Sequence, residues 1–550
     1  NDASAITYSQ GGTGSVSRTV ENKLQETVSA GDFGMSTTAS ADANCVALQA
    51  ALDSGAKVIT VAPGNYSWNP KYLNYDDGTT TLATPVGAAI PSGITLLGYG
   101  VTLTSVTTNA VIYSMLASYK TTGVSIRGFT LIGDKDTNTS SSGEWGFGID
   151  FRDVTDASVE DVTSHKMWGD SFYVGVTDTA GTGSNRVTYR NIVGIDSRRQ
   201  GLSITGGNNI TVDGYRFLGI RGTAPMSGID IEPNTTDLAN NIHLLNGYVE
   251  DCNRSIIAYK CINLIISNLQ VENCTVLFPS LMDRVYDCTM NGLILRGGST
   301  TNYGILLQDT KALGNIKVNN FYIGTASLYP FYINDVTTAV SDIVFSNGTI
   351  DWKEYEVQTA YMSLINPGSV RFENVNFDVP AGFDGTDLVQ LSPANYIINS
   401  IGGGEFTNCV FRNKSALLAS QLIIKLATNG NIGNRFEKTT VIKDALALSS
   451  SWVAATGFEA PYYVKASNGD VSLYGVISSG TGTDGTIIAT LPVGYRPEVK
   501  TMCSVADRDG AATIGIASVF VNTNGTITVD GTLENNRAGL YSIQFKAHTP

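Results

Sequence analysis

Short runs in which apolar and polar residues alternate recur along most of the chain. GIDFRD (148–153), WGDSFYVG (168–175), RRQGLSITGG (198–207) and MSGIDIEPN (226–234) share a polar or glycine entry followed by such a run. Alternate side chains of a strand point to opposite faces. The pattern therefore predicts Ile229 and Ile231 in a core, with Asp230 and Glu232 facing out together. One copy earlier, Leu202 and Ile204 face in while Ser203 and Thr205 face out; before that, Phe172 and Val174 flank an outward Tyr173. In the first copy Ile149 and Phe151 are inward, and Asp150 and Arg152 outward. Stacked as parallel strands at a spacing of ~4.8 Å, the copies form a continuous outer wall bearing Asp150, Arg152, Tyr173, Asp230 and Glu232.

A looser form of the unit runs from 94 to 443, in segments such as VSIRGFTLIG, NNITVDGYRFLG, INLIISNLQVENC and VSDIVFSNGTIDW. Each reads as a short strand, a turn at Asn or Gly, and a second short strand. Repetition at roughly 20 to 30 residues without intervening helices is the pattern of a β-solenoid. Asn and Gly suit left-handed corners, and asparagines recurring at one corner can stack as ladders. Residues 1–30 form a neck, with a glycine-rich turn and a helical pattern around Val20 to Leu24 and Val28. Residues 31–93 hold an amphipathic helix (Val46, Leu48, Ala51, Leu52), a strand over 57–61, a turn at Pro63 and Gly64, and the first coil strands. Residues 444–550 begin as a linker and continue as short strands with turns rich in Gly, Asn and Asp, the pattern of an antiparallel β-sandwich.

Composition supports an all-β reading: of 550 residues 58 are Gly and 25 Tyr, and only 15% are charged. The net charge of −14 leaves no basic footprint for nucleic acid. The seven cysteines form no CxxC pair and read as buried reduced thiols. No apolar run approaches the ~18 residues of a membrane helix, so membrane insertion is not expected, and no signal peptide is recognisable. The chain opens at Asn1 without methionine, which is read as a trimmed start.

The stretch from the Asp-Phe-Gly at 32–34 to VITVAPGNYSW resembles the opening of pectin-lyase-like right-handed parallel β-helices, in which the helix caps the open end of the coil. Such a cap covers an edge and a core that the first turn leaves exposed. The segment ATLPVGYRP resembles C-terminal modules of phage tail fibres and tailspikes. In layout the whole chain resembles a bacteriophage tailspike: neck, capped β-helix and C-terminal trimerisation or carbohydrate-binding module. That resemblance implies a homotrimer on the virion, joined to the phage tail or baseplate by a preceding part. It also implies binding and cleavage of bacterial surface polysaccharide, O-antigen or capsule, outside the host cell. Because the fold hosts several chemistries, the reaction must be argued from residues.

Glycosidic hydrolysis uses two carboxyls, one as acid and one as base or nucleophile. Asp230 and Glu232 lie at i and i+2 of one strand, with Cβ atoms ~6.5 to 7 Å apart; that separation leaves retention and inversion both open. Asp170, Asp196 and Glu144 are close enough in repeat terms to support them, and crowding of like charge raises one carboxyl's pKa. Arg199 and Gln200, after Arg198, are candidate sugar ligands, though the arginines can equally pair with Asp196 and Asp230. Trp145, Trp168 and Tyr173 are candidate sugar platforms or trimer contacts. A second constellation joins Glu250 and Asp251 with Asp283 and Asp287, and a Glu250–Asp283 pair would act across a subunit interface.

Rival chemistries are also represented. A lyase acting on a uronate would use His165, Lys166 and Arg199. An esterase would rest on Gly-Asp-Ser at 169–171, which lacks a partner Asp-x-x-His. The acidic loop at 134–136 lacks calcium-ligand spacing, so no metal and no cofactor is expected. The same wall without turnover would serve an adhesin.

Overall fold

The computed structural model describes residues 2–75, 84–177, 182–234, 238–298, 301, 303–308, 313–324, 329–334, 340–351, 362–365, 370–379, 396–401, 405–413, 423–425, 435–438, 444–449, 451–465, 470–509, 513–533 and 537–547. Parts of the expected coil region 94–443, notably 352–361 and 380–395, lie outside the described residues.

The N-terminal segment begins with a two-strand pairing of Thr7–Tyr8 with Arg18–Thr19, followed by a helix over Val20–Leu24 that the Thr19 side chain caps. The Asp-Phe-Gly motif has a local cause. Ser29 and Asp32 form a reciprocal capping box on a 3-10 turn, and Gly34 closes it at φ 98°. The next helix, Ala41–Leu52, starts at a Ser40 cap and buries Cys45, Ala47, Leu48, Ala51 and Leu52. Val46, expected on its apolar face, is instead 47% exposed. Asn44 takes the inward position, donating to the Ser67 carbonyl and accepting from the Ser36 amide. The last residues of the expected neck, Thr27–Ser29, pair with Val58–Thr60 and so belong to the first turn of the coil.

Beyond them the chain alternates between two parallel sheets, which makes it a parallel β-solenoid. One sheet carries long strands, including Ser184–Ile195, Gly207–Leu218, Ala239–Glu250, Cys261–Glu272 and Val285–Arg296, each pairing in parallel with the next. The other carries Thr84–Ala89, Ile112–Tyr119, Trp145–Arg152, Phe172–Gly175, Gln200–Ile204, Ser227–Ile231, Arg254–Ala258 and Ser280–Leu281 in that spatial order. Successive partners are irregularly spaced: 32 residues separate Ile210 from Ile242, and 22 separate Ile242 from Leu264.

The expected pair of short strands around an Asn or Gly turn is, in the first sheet, one twelve-residue strand bent at a left-handed residue. Asn191, Gly214, Asn246, Asn268 and Gly292 hold that position, with φ between 51° and 72°. Asparagine and glycine reach this region at least cost. Asparagine amides bridge consecutive turns there, as in Asn268 to Asn246 at 3.0 Å, which gives the ladder its physical form. The alternation reading of the core holds: Leu202, Ile204, Ile229 and Ile231 are fully buried.

The described residues of 435–547 belong to a second compact unit. Within it lie a four-stranded and a seven-stranded sheet, with antiparallel pairings such as Tyr462–Lys465 on Asp470–Tyr474 and Thr501–Asp509 on Thr513–Val521. Trp452, Leu473, Ile488, Val505, Val519 and Ile527 share one buried cluster. The stretch read as a linker is part of this packing, since it supplies Leu446 and Trp452 to the cluster and Asp444–Ala445 to a sheet. Among the described residues no helix is long and apolar enough to cross a membrane.

Candidate functional site

The short-strand sheet places Asp150, Tyr173, Ser203, Asp230 and Ile257 in one register row across five consecutive strands. The two ends of this row have different fates.

At the Asp150 end the expected open wall is closed. Asp150 accepts from Arg152 Nε at 2.9 Å and Nη2 at 2.8 Å, and also from Ser114 Oγ and the Tyr119 hydroxyl. The Arg152 guanidinium lies 5.0 to 5.5 Å from the ring centres of Tyr119, Phe147 and Tyr173. Tyr173, read as a sugar platform, is only 7% exposed; its ring packs 4.6 Å from Phe147 and its oxygen accepts from Thr205. A ring covered on these sides has no free face for a sugar.

At the Asp230 end four carboxylates surround one guanidinium. Arg199 Nη1 lies 3.5 Å from Asp170 Oδ2, and its Nε lies 3.3 Å from Glu144 Oε2. Asp170 is fully buried and accepts from Ser203 Oγ at 2.7 Å. Burial pushes its pKa up to about 6, against the pull of Arg199. Asp230 is 3% exposed, and burial together with Glu232 pushes it up to about 7. The Oδ1 atoms of Asp170 and Asp230 are both buried without a hydrogen-bond partner. Glu232 is exposed just past the end of the Ser227–Ile231 strand, held by its amide bond to the Ile204 carbonyl and followed by Pro233.

Several expected partners part company here. Gln200 is fully buried, and its amide is committed to Asp230 at 2.7 Å and to Ser227, so it offers nothing to a sugar. Asp196 pairs with Lys135 at 2.6 Å rather than joining the cluster. Trp168 is 7% exposed beneath the Arg198 guanidinium, 4.0 Å from its ring centre, which leaves Trp145 (47% exposed) as the accessible tryptophan of the two. Within one chain Glu250 and Asp283 fall at opposite corners of a coil turn. Glu250 ends a long strand and accepts from Tyr248, whereas Asp283 follows the Ser280–Leu281 strand and faces Arg284 at 3.5 Å.

The rival sets fare similarly. Lys166 is paired with Asp136 at the surface, and His165 lies at the end of a strand in the other sheet, its pKa lowered by burial and by Lys166. Arg199 faces Asp170 and Glu144. Ser171 is fully buried and bonded to Ser197 at 2.7 Å, out of reach of an ester. Asp134 accepts from Thr108, Tyr113 and Asn138 and is 2% exposed; its loop is pinned by protein donors. Among the described residues no cluster of three His, Cys, Asp or Glu is arranged to hold a metal ion. Sequence reasoning missed Arg254, whose charge acts on Asp230 from the next strand and whose Nη1 donates to Ser280 Oγ at 2.9 Å.

No family model matches the chain. The uncharacterized protein YclG of Bacillus subtilis (strain 168) is 32% identical over 133 residues, which span 22% of this chain and 23% of YclG. Tailspike protein 3 of bacteriophage CBA120 is similar in structure over 84% of this chain and 70% of its own, at 12% identity and a TM-score of 0.43. The tailspike gp49 of Acinetobacter baumannii bacteriophage Fri1, a capsular polysaccharide depolymerase, is matched over 100% of this chain and 93% of its own, at 12% identity and a TM-score of 0.34.

Proposed function

We propose that this chain is a phage tailspike that depolymerises bacterial surface polysaccharide by endo-glycosidic hydrolysis, acting as a homotrimer on the virion. The observation that carries the reading is the pairing, two residues apart, of a buried carboxyl in the Ser227–Ile231 strand with an exposed one just past its end. Asp230, whose pKa is pushed up to about 7, keeps a proton near neutrality and serves as general acid. Glu232, open to solvent, supplies the second carboxylate. Asp230 gives its proton to the glycosidic oxygen as the bond to the anomeric carbon breaks. Glu232 then either attacks that carbon or takes a proton from the water that does. Arg199 offsets the negative charge of Asp170 and Glu144 beside the acid, and Trp145 offers an apolar face for a sugar ring.

The test is mass spectrometry of products from purified capsule or O-antigen of candidate hosts. Oligosaccharides at the hydrated repeat mass, lost in Asp230→Asn and Glu232→Gln while binding persists, support the reading. Products lighter by one water, about 18 Da, with a new ultraviolet chromophore would mean elimination. Binding without any product would make the protein an adhesin.

A further inference from the structure

We infer that a polar recess near the start of the coil is a subsite for a sugar bearing an anionic group, held by Lys71 and Asn109. The inference rests on the reading of the chain as polysaccharide-binding and does not depend on which carboxyls cleave. The recess has a volume of about 490 Å3 and is lined by Asn69, Lys71, Val106, Thr107, Asn109 and Thr139, with Thr108 among them. In a chain of net charge −14, the only charged residue among those lining it is a cation. Lys71 is exposed, its Nζ donates to Asn109 Oδ1 at 3.1 Å, and among the described residues no carboxylate pairs with it. An ammonium can only donate, so this contact turns the Asn109 oxygen toward Lys71 and leaves the amide NH2 as a donor. Those N–H groups suit the oxygens of a carboxylate or phosphate on a sugar. Val106, 39% exposed, adds an apolar edge for the ring.

The walls are fixed by the protein's own bonds. The Thr108 backbone N–H and Oγ donate to Asp134 Oδ2 at 2.9 and 2.6 Å, and the Tyr113 hydroxyl donates to Oδ1 at 2.6 Å. The Thr139 N–H donates to the Thr108 carbonyl at 2.9 Å. Asn69 donates to Asp42 at 2.6 Å and accepts from the Lys71 backbone N–H at 3.0 Å. Asp134 is 2% exposed, so a ligand meets Lys71 and not that carboxylate. The corner that forms the recess precedes the Ile112–Tyr119 strand, just as Glu144, Asp170 and Arg199 precede Trp145–Arg152, Phe172–Gly175 and Gln200–Ile204. These four strands are consecutive neighbours in one sheet. The recess therefore lies one strand spacing, ~4.8 Å, from the turn of Trp145 and roughly 14 Å from that of Arg199. A glycan running along this corner meets all of them. The carboxylates around Arg199 disfavour a further negative charge while Lys71 favours it, so the charged sugar of each repeat fixes the register of the chain.

Saturation-transfer NMR with glucuronate, glucose 6-phosphate and glucose as probes tests this without turnover. The wild-type protein should bind one or both charged sugars in preference to glucose, and the one bound names the anion. Lys71→Gln keeps a polar side chain and removes the charge, so affinity for that sugar should fall about tenfold. Added salt should weaken wild-type binding in the same direction. Asn109→Ala should show a smaller loss, and it carries the test if Lys71→Gln does not fold by thermal melting. On a purified uronate-containing capsule, Lys71→Gln should raise KM about tenfold at constant kcat. The difference should vanish once the carboxyls of that capsule are reduced to alcohols. Charged-sugar binding that is absent in the wild type, or unchanged in both variants, overturns the inference. Binding that depends on Lys71 without cleavage of any polysaccharide would keep the subsite and sink the hydrolytic reading, so the two failures are told apart.

Discussion

Asp150 and Arg152, two residues apart on one strand, form a two-point ion pair with both side chains almost wholly withdrawn from water. Alternation puts them on the outward face, yet Tyr119, Phe147 and Tyr173 close over the guanidinium. Removing one member of a buried pair leaves the other charged and unpaired, which costs about 3 to 5 kcal/mol. Arg152→Ala should therefore lower the melting temperature by several degrees and unsettle the Tyr173 ring. An unchanged melting curve would show that the pair is solvated in solution.

Along the bend of the long strands, Asn268 combines φ 54° with a side-chain bond to Asn246 at 3.0 Å. Two costs can be separated there. Asn268→Gly keeps the backbone conformation and loses one hydrogen bond, worth about 1 kcal/mol. Asn268→Val loses the bond and also forces a β-branched residue into the left-handed region, at roughly 1 to 2 kcal/mol more. Chemical unfolding of the two variants should rank valine clearly below glycine. Equal midpoints would mean that the ladder alone sets the preference.

All seven cysteines are buried, and none is in a disulfide. Burial pushes the thiols of Cys45 and Cys261 up to about 12, and only the thiolate reacts. A disulfide reagent at neutral pH should label the folded protein slowly or not at all, then all seven sites once denaturant is added. Rapid labelling of the native protein would show local opening of the coil.

The alternation around Ile229 and Ile231 was enough to put those two side chains in the core, because strand parity is a property of adjacent residues alone; Glu232 falls just past the strand's end. Depth was not legible. Whether an outward side chain ends buried depends on residues from neighbouring turns: Tyr119 and Phe147 seal Arg152, and Gln200 reaches Asp230 from the strand before it. With register partners on successive turns separated by 22 residues in one place (Ile242 and Leu264) and 37 in another (Val58 and Thr95), no fixed period reveals which residues become register partners. For the same reason Gln200 read as a sugar ligand, and Tyr173 as a platform. Asp196 looked like a neighbour of the arginines, but its side chain belongs to the other sheet's edge, where Lys135 takes it. The kinked strands were visible as asparagines and glycines, although a bend and a chain-reversing turn use the same residues.

Asp230 ties stability and turnover to pH in one direction. An unfolded aspartate loses its proton near pH 3.9, whereas folding moves Asp230 up to about 7. Between those values the folded chain holds a proton that the unfolded chain has released, so stability is full below about pH 4 and is lost as pH rises toward 7. A pKa that differs by one between the folded and unfolded chain corresponds to about 1.4 kcal/mol, which bounds the contribution of Asp230 at roughly 4 kcal/mol. Asp170, pushed up to about 6, adds a smaller share of the same sign. Urea midpoints measured across this range should fall with pH, and Asp230→Asn should flatten the slope by removing its titrating proton. Turnover should fall over the upper end of the same window, since the ionised Asp230 can no longer protonate the leaving oxygen. A hydrolytic rate that keeps rising well beyond pH 8 would assign the acid role to another group.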